Sequence, residues 1–205
     1  EFLKHKNIYK SEIIEIHNRP IYLKYIKRKI EAKIVLYFHN DPLTMSGSKS
    51  IEDRQFLFDY AEKIVFNSQW SKKRFLEGMD PLTGNSDKLI VIYQSSNISK
   101  INFNKKKKLI TFVGKLNTAK GYDLFGAAII KILKRFSTWK AIVIGDEPRE
   151  KLIFNHPRLK KLGFISHKEV LNIYSKTSIA VACSRWNEPL GRTSLEASSR
   201  GCAVI

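Results

Sequence analysis

Cysteine is nearly missing from the chain: Cys183 and Cys202 are the only two in 205 residues, too few for a disulfide framework and without the paired spacing of a zinc site. A reducing compartment, the cytoplasm, is the expected location. No apolar run approaches the roughly 20 residues that a membrane-spanning helix needs. No charged segment followed by an apolar core opens the chain, so no export signal is expected either. There is no Asp-x-Asp pair for a metal-diphosphate site, no Walker loop and no Gly-x-Gly-x-x-Gly fingerprint, and neither a bound metal nor a dinucleotide is expected. Acidic residues are scarce as well, with 19 Asp and Glu against 37 Lys and Arg, for a formal net charge of +18.

Such a surface attracts anions. Nucleic acid, an anionic membrane and a phosphorylated substrate are the three classes of partner it suits. The basic residues are spread over 24–29, 72–74, 105–108 and 131–135 rather than gathered on one helix, and no specific nucleic-acid binding is expected.

Short β-branched runs recur at 13–16, 34–38, 64–66, 89–93, 109–113, 141–144, 179–182 and 203–205 and read as buried strands. Segments of helical spacing lie between them. The clearest follows Gly121, where Phe125, Ile129, Ile132 and Phe136 recur at steps of four, three and four. Strand-helix alternation implies parallel sheets. The polar stretch 94–108, with its Ser95-Ser96-Asn97 cluster and four closing lysines, reads as a linker between a first domain over 1–100 and a second over 101–205. About four strands in the first half are few for a complete nucleotide-binding-type domain. The run at 203–205 reads as a strand without its following helix, so both domains are expected to be incomplete.

Two stretches carry chemistry. In the first, Ser184-Arg185-Trp186-Asn187-Glu188-Pro189-Leu190-Gly191-Arg192-Thr193-Ser194-Leu195-Glu196-Ala197 follows a strand. Pro189 tolerates a helix start, Gly191 permits close backbone approach, and 195–200 reads helically. The free amides and the dipole of such a helix favour a phosphate. On one continuous helix Glu188 and Glu196 would stand about 12 Å apart, which suits two separate hydroxyl-binding tasks better than one carboxylate pair. In the second stretch, Phe112-Val113-Gly114-Lys115-Leu116 runs on to Lys120-Gly121-Tyr122. It reads as a buried strand, a glycine turn and a helix start with two ammonium groups where a phosphate would sit.

The first stretch resembles the Glu-x7-Glu signature of the retaining GT-B glycosyltransferases of family 4, often called group 1, including the Glu-Pro-x-Gly core. The second resembles that family's Gly-Arg/Lys-Leu element and the Lys-Gly that follows it. The resemblance implies that Glu196 binds the nucleotide ribose, that Glu188 contacts the transferred sugar, and that the amides of Leu190, Gly191 and Arg192 meet sugar or diphosphate. Gly114 would shape the turn, with Lys115 and Lys120 holding the diphosphate. Lys115 departs from the commoner Arg and offers a point charge in place of a bidentate fork. The segment Leu162-Gly163-Phe164-Ile165-Ser166-His167 resembles the one lining the nucleotide base, Phe164 included, with 172–176 as the helix after it.

In the first half, His39-Asn40-Asp41-Pro42 follows a strand at its carboxyl end, where parallel sheets bind ligands. The resemblance implies that His39 faces the sugar and the reacting phosphate across the interdomain cleft. The segment around Asn67 resembles the family's second strand-to-helix turn, with Ser68 as a helix cap. Ser46-x-x-Lys49 matches a hydrolase pattern whose companion motifs are absent.

The expected fold class is α/β, of GT-B type, with two Rossmann-like domains on parallel sheets. The expected activity is metal-independent transfer, with retention, from a nucleotide-sugar donor to a glycan or lipid-linked acceptor hydroxyl in bacterial surface polysaccharide or lipopolysaccharide synthesis. No cofactor is expected, the nucleotide-sugar being a co-substrate. Peripheral contact with the anionic inner face of the membrane follows from charge alone. A basic nucleic-acid-binding protein and a catalytically inactive sugar-nucleotide-binding fragment are the alternatives.

Overall fold

The computed structural model describes residues 4, 12–97 and 100–205, so positions 98 and 99 of the expected linker lie outside the described residues. The chain forms two compact units, Glu1–Gln94 and Ser95–Ile205.

The first unit carries strands β1 (Ile13–His17), β2 (Lys33–Phe38), β3 (Lys63–Phe66) and β4 (Leu89–Val91), with helices α1 (Ile21–Ile26), α2 (Ile51–Tyr60) and α3 (Gln69–Leu76) between them. The strands pair in parallel in the order β1-β2-β3-β4. Burial alternates along β1 and β2. Ile14, Ile16, Ile34, Leu36 and Phe38 join Leu23, Leu57, Ile64, Phe66 and Phe75 in one apolar core. Glu15, His17, Val35 and Tyr37 stand on the other side of the pleat, because successive side chains alternate across a strand. β4 stops at Val91, earlier than the run to 93 suggests, and Ile92 and Tyr93 are exposed. Ser68 does cap α3, its hydroxyl accepting from the Ser71 amide at 3.1 Å.

The second unit carries β5 (Lys107–Val113), β6 (Lys140–Ile144), β7 (Leu159–Lys161), β8 (Thr177–Val181) and β9 (Ala203–Val204), with α4 (Tyr122–Arg135), α5 (His167–Tyr174) and α6 (Arg192–Ser199). All pairings are parallel, in the order β7-β6-β5-β8-β9. The sheet is covered on both faces. Ile110, Phe112, Ala141 and Val143 meet α4 through Tyr122, Phe125, Ile129 and Leu133. Ile144 and Ala180 meet Val170 and Tyr174 of α5 and Ala197 of α6. This double coverage explains why β5 reads as an unbroken apolar run. The one hydroxyl inside that run, Thr111, bonds Thr177 at 2.7 Å.

Three sequence expectations shift here. Lys107 and Lys108 open β5 instead of closing the linker. The helix expected at 172–176 runs from His167 to Tyr174, started by a capping box between Ser166 and Glu169. Phe136 falls one residue past α4 and is 47% exposed, whereas Leu133, one step earlier on the same face, is fully buried.

Replacing Ile129 by alanine should therefore cost about 2–5 kcal/mol of stability, the range for emptying a packed core position. Phe136→Ala should cost under about 1 kcal/mol, as at exposed positions. Urea unfolding of the two variants checks the contrast.

Candidate functional site

The order of the second sheet places one site. From β5 the chain moves outward to β6 and β7, then returns to the other side of β5 for β8 and β9. Adjacent connections leave in opposite directions at the carboxyl ends of β5 and β8, and such a switch point opens a crevice there.

The connection after β5 makes a short 3-10 turn, Thr118–Lys120, capped by Asn117, whose side chain accepts from the Lys120 amide at 3.0 Å. Gly121 then turns left-handed at φ 71° to start α4. A Cβ at this glycine would lie 1.9 Å from the carbonyl oxygen of Cys183, so the turn rests directly on the backbone leaving β8. From that side Arg185 and Trp186 both donate their amides to the Ala119 carbonyl, at 2.9 and 3.1 Å. The Arg185 guanidinium grips Asp123 through two hydrogen bonds of 2.5 and 2.7 Å. Those bonds hold the Asp123 carboxyl below its ordinary range. The clamp brings Lys120 into an ion pair with Glu188, 68 residues later. Ser184 bonds the same carboxylate at 3.2 Å.

At the ends of β5 and β6, an open cleft of about 540 Å³ is lined by Gly114, Lys115, Gly145, Glu147, Arg149 and Phe164, among others. The ends of β5 and β6 approach so closely that a Cβ on Gly145 would stand 1.9 Å from the Gly114 carbonyl oxygen. Phe164 presents its ring to the opening, 86% exposed. Arg149 bonds the Glu147 carboxylate at 2.7 and 2.8 Å. These bonds, with a further contribution from the charge of Lys115, hold Glu147 down to about 2.

The third component is the start of α6. Gly191 is its N-cap, left-handed at φ 69°, and no side chain caps the first turn. A Cβ there would meet only Ser194, at 3.7 Å or more, so this glycine serves the turn rather than a close approach. The helix opens at Arg192, three residues before the stretch 195–200 that reads helically in the sequence. Its first amides have no intrahelical partner and carry the positive end of the dipole. Glu196, only 9% exposed, lies one turn in. One of its oxygens is 3.1 Å from His167 Nε2 and 3.3 Å from Arg192.

His39 belongs to the first unit. Its amide donates to the Asn18 side chain at 2.8 Å and its carbonyl accepts from Asn67 at 2.9 Å. Its ring nitrogens lie 2.9 Å from His17 and 3.0 Å from Gln94. The pairings of Arg185 with Asp123, Glu147 with Arg149, and His167 with Glu196 carry no motif of their own. A signal did exist for the cleft: Gly145-Asp146-Glu147-Pro148 directly follows an apolar strand, the place where glycine marks a tight backbone approach.

Two units on parallel sheets, the second with an open cleft at its switch point, place the chain in the GT-B class of fold. HepE of Anabaena, in complex with UDP-glucose, shares it at 18% identity and a TM-score of 0.67, over 94% of this chain and 58% of its own. Sucrose-phosphate synthase from Thermosynechococcus elongatus shares it at 15% identity and a TM-score of 0.73, over all of this chain and 58% of its own. The sequence profile of the family described as Glycosyl transferases group 1 matches residues 94–205, and the chain belongs to that family. YtcC of Bacillus subtilis is 24% identical over 225 residues, which cover 95% of this chain and 54% of YtcC. The chain thus spans about half the length of that relative.

The Glu147 carboxyl should titrate near 2 in a carbon-13 NMR experiment, and Arg149→Ala should move the midpoint up toward the ordinary range. The sign follows: folding favours the ionised form, so its contribution is complete above the unfolded pKa and is lost as pH falls toward 2. Gly121→Ala should destabilise by at least about 1–3 kcal/mol, since it adds left-handed strain to a collision with Cys183. A lowered unfolding midpoint checks it.

Proposed function

We propose that the second unit binds a nucleotide-activated sugar, and that the protein transfers this sugar with retention to a hydroxyl of a glycan or lipid-linked acceptor. The observation that carries the reading is the ion pair of Lys120 and Glu188, which joins the connections leaving β5 and β8, together with Lys115 lining the cleft at the end of β5. Two lysines and the uncapped amides of α6 supply positive charge where a nucleoside diphosphate leaves. Stabilising that developing charge is the electrostatic task catalysis requires. No metal is needed in this reading, because lysines and amides take its part.

Each remaining residue has a role in the same arrangement. A diphosphate arriving at Lys120 competes with Glu188 for the ammonium, and the carboxylate so released can take hydroxyls of the transferred sugar. Glu196 takes the ribose, held by His167 and Arg192. Phe164 offers a ring for the base to stack on. Gly114, Leu190, Gly191 and Arg192 shape the phosphate and sugar contacts; in the first unit, His39 is the residue assigned to the sugar. HepE is seen with UDP-glucose, which makes uridine nucleotides the first to try. A role in bacterial surface polysaccharide or lipopolysaccharide synthesis, on the inner face of an anionic membrane, accords with the charge of +18.

A thermal-shift screen of UDP, GDP, ADP and their sugar conjugates tests the reading. A ligand at ~100 times its dissociation constant should add about 2.7 kcal/mol of stability. One nucleotide diphosphate should stabilise the parent chain, and Glu196→Ala and Lys120→Ala should lose most of the effect. No stabilisation of a folded chain by any of them would sink the reading, and salt-sensitive retention on DNA would then favour nucleic acid.

A further inference from the structure

On the partly exposed side of β1 and β2, parity gathers four polar groups. Glu15 and His17 alternate along β1, and the parallel register sets His17 opposite Tyr37 of β2, with His39 two residues beyond. The three rings are nearly parallel: His17 lies within 8° of Tyr37 and within 6° of His39. One line of hydrogen bonds joins them. Glu15 takes the Tyr37 hydroxyl at 3.2 Å and His17 Nε2 at 3.3 Å. His17 Nδ1 lies 2.9 Å from His39 Nε2, and His39 Nδ1 lies 3.0 Å from the side-chain nitrogen of Gln94.

The carboxylate fixes the direction of this line. An ionised carboxylate only accepts, so His17 must donate from Nε2. In a neutral imidazole the other nitrogen then accepts, so His17 Nδ1 takes its proton from His39 Nε2. His39 Nδ1 is left as a lone pair, and the Gln94 amide donates to it. We propose that Glu15 and His17 are positioning residues for His39, holding it as the Nε2–H tautomer so that its Nδ1 accepts a hydrogen bond from a substrate hydroxyl. Gln94 holds the place of that hydroxyl until it arrives. A carboxylate at the far end of such a line steadies an imidazole in one tautomer and supports positive charge on it. This inference rests on the reading in which His39 meets the substrate.

Long-range proton–nitrogen NMR spectra of the histidine-labelled chain read the tautomers without any assay. His17 and His39 should both appear as Nε2–H. Glu15→Leu should leave both as tautomer mixtures, whereas Glu15→Gln, whose amide oxygen still accepts, should keep them. In sugar transfer or hydrolysis of the stabilising nucleotide-sugar, Glu15→Leu should lower kcat about tenfold, equivalent to about 1.4 kcal/mol of transition-state stabilisation, with KM little changed. Glu15→Gln should restore it. A His39 Nδ1–H tautomer in the parent chain, or tautomers unmoved in Glu15→Leu, overturns the proposal. Full activity in His39→Ala overturns the underlying reading as well. Loss of activity in His39→Ala beside full activity in Glu15→Leu overturns the positioning role alone.

Discussion

The contact between Gly121 and the carbonyl of Cys183 is what the second unit's site depends on. A turn that bears a lysine and a loop that bears a glutamate come from distant parts of the chain, and only a residue without a Cβ lets their backbones touch. Around that contact the amides of Arg185 and Trp186 converge on Ala119, and Arg185 locks onto Asp123 at the start of α4. The surface ion pair of Lys120 and Glu188 contributes little stability by itself. Its placement is a result of the clamp, in which backbone contacts and the Arg185–Asp123 side-chain pair act together.

The parallel sheet supplies the rest of the geometry. Because β5 lies between β6 and β8, its carboxyl end faces two departing connections, and both the cleft with Lys115 and the loop with Glu188 open there. The first sheet runs in simple sequence order over its four described strands. Its polar groups gather by a different rule: strand parity, which puts Glu15, His17 and Tyr37 on one side of the pleat and the apolar core on the other.

Much of this was legible in the sequence, for physical reasons. Buried parallel strands are rich in β-branched residues, and eight of the nine described strands announced themselves as short runs of that kind. β7 did not, because Leu159-Lys160-Lys161 is an edge strand with two exposed lysines. The start of α5 was misplaced although Ser166 and Glu169 carried a capping-box signal, and Phe136 continued a helical period past the point where the helix ends. The glycine-lysine turn and the Glu-x7-Glu loop stood out as local strings. Their clamp, Arg185 on Asp123, joins residues 62 apart and exists only once β5 and β8 are neighbours. The Glu15–His17–His39 line was equally hidden, since it depends on the register of two strands.

Amide chemical-shift mapping with a nucleoside diphosphate tests the central assignment most directly. Changes should concentrate at Gly114, Lys115 and Lys120, at 163–165, and at 190–194, the places where the second unit offers charge, an aromatic ring and free helix amides. Changes confined to the scattered surface lysines at 24–29 or 105–108, with those positions silent, would show that the switch-point crevice does not bind the donor.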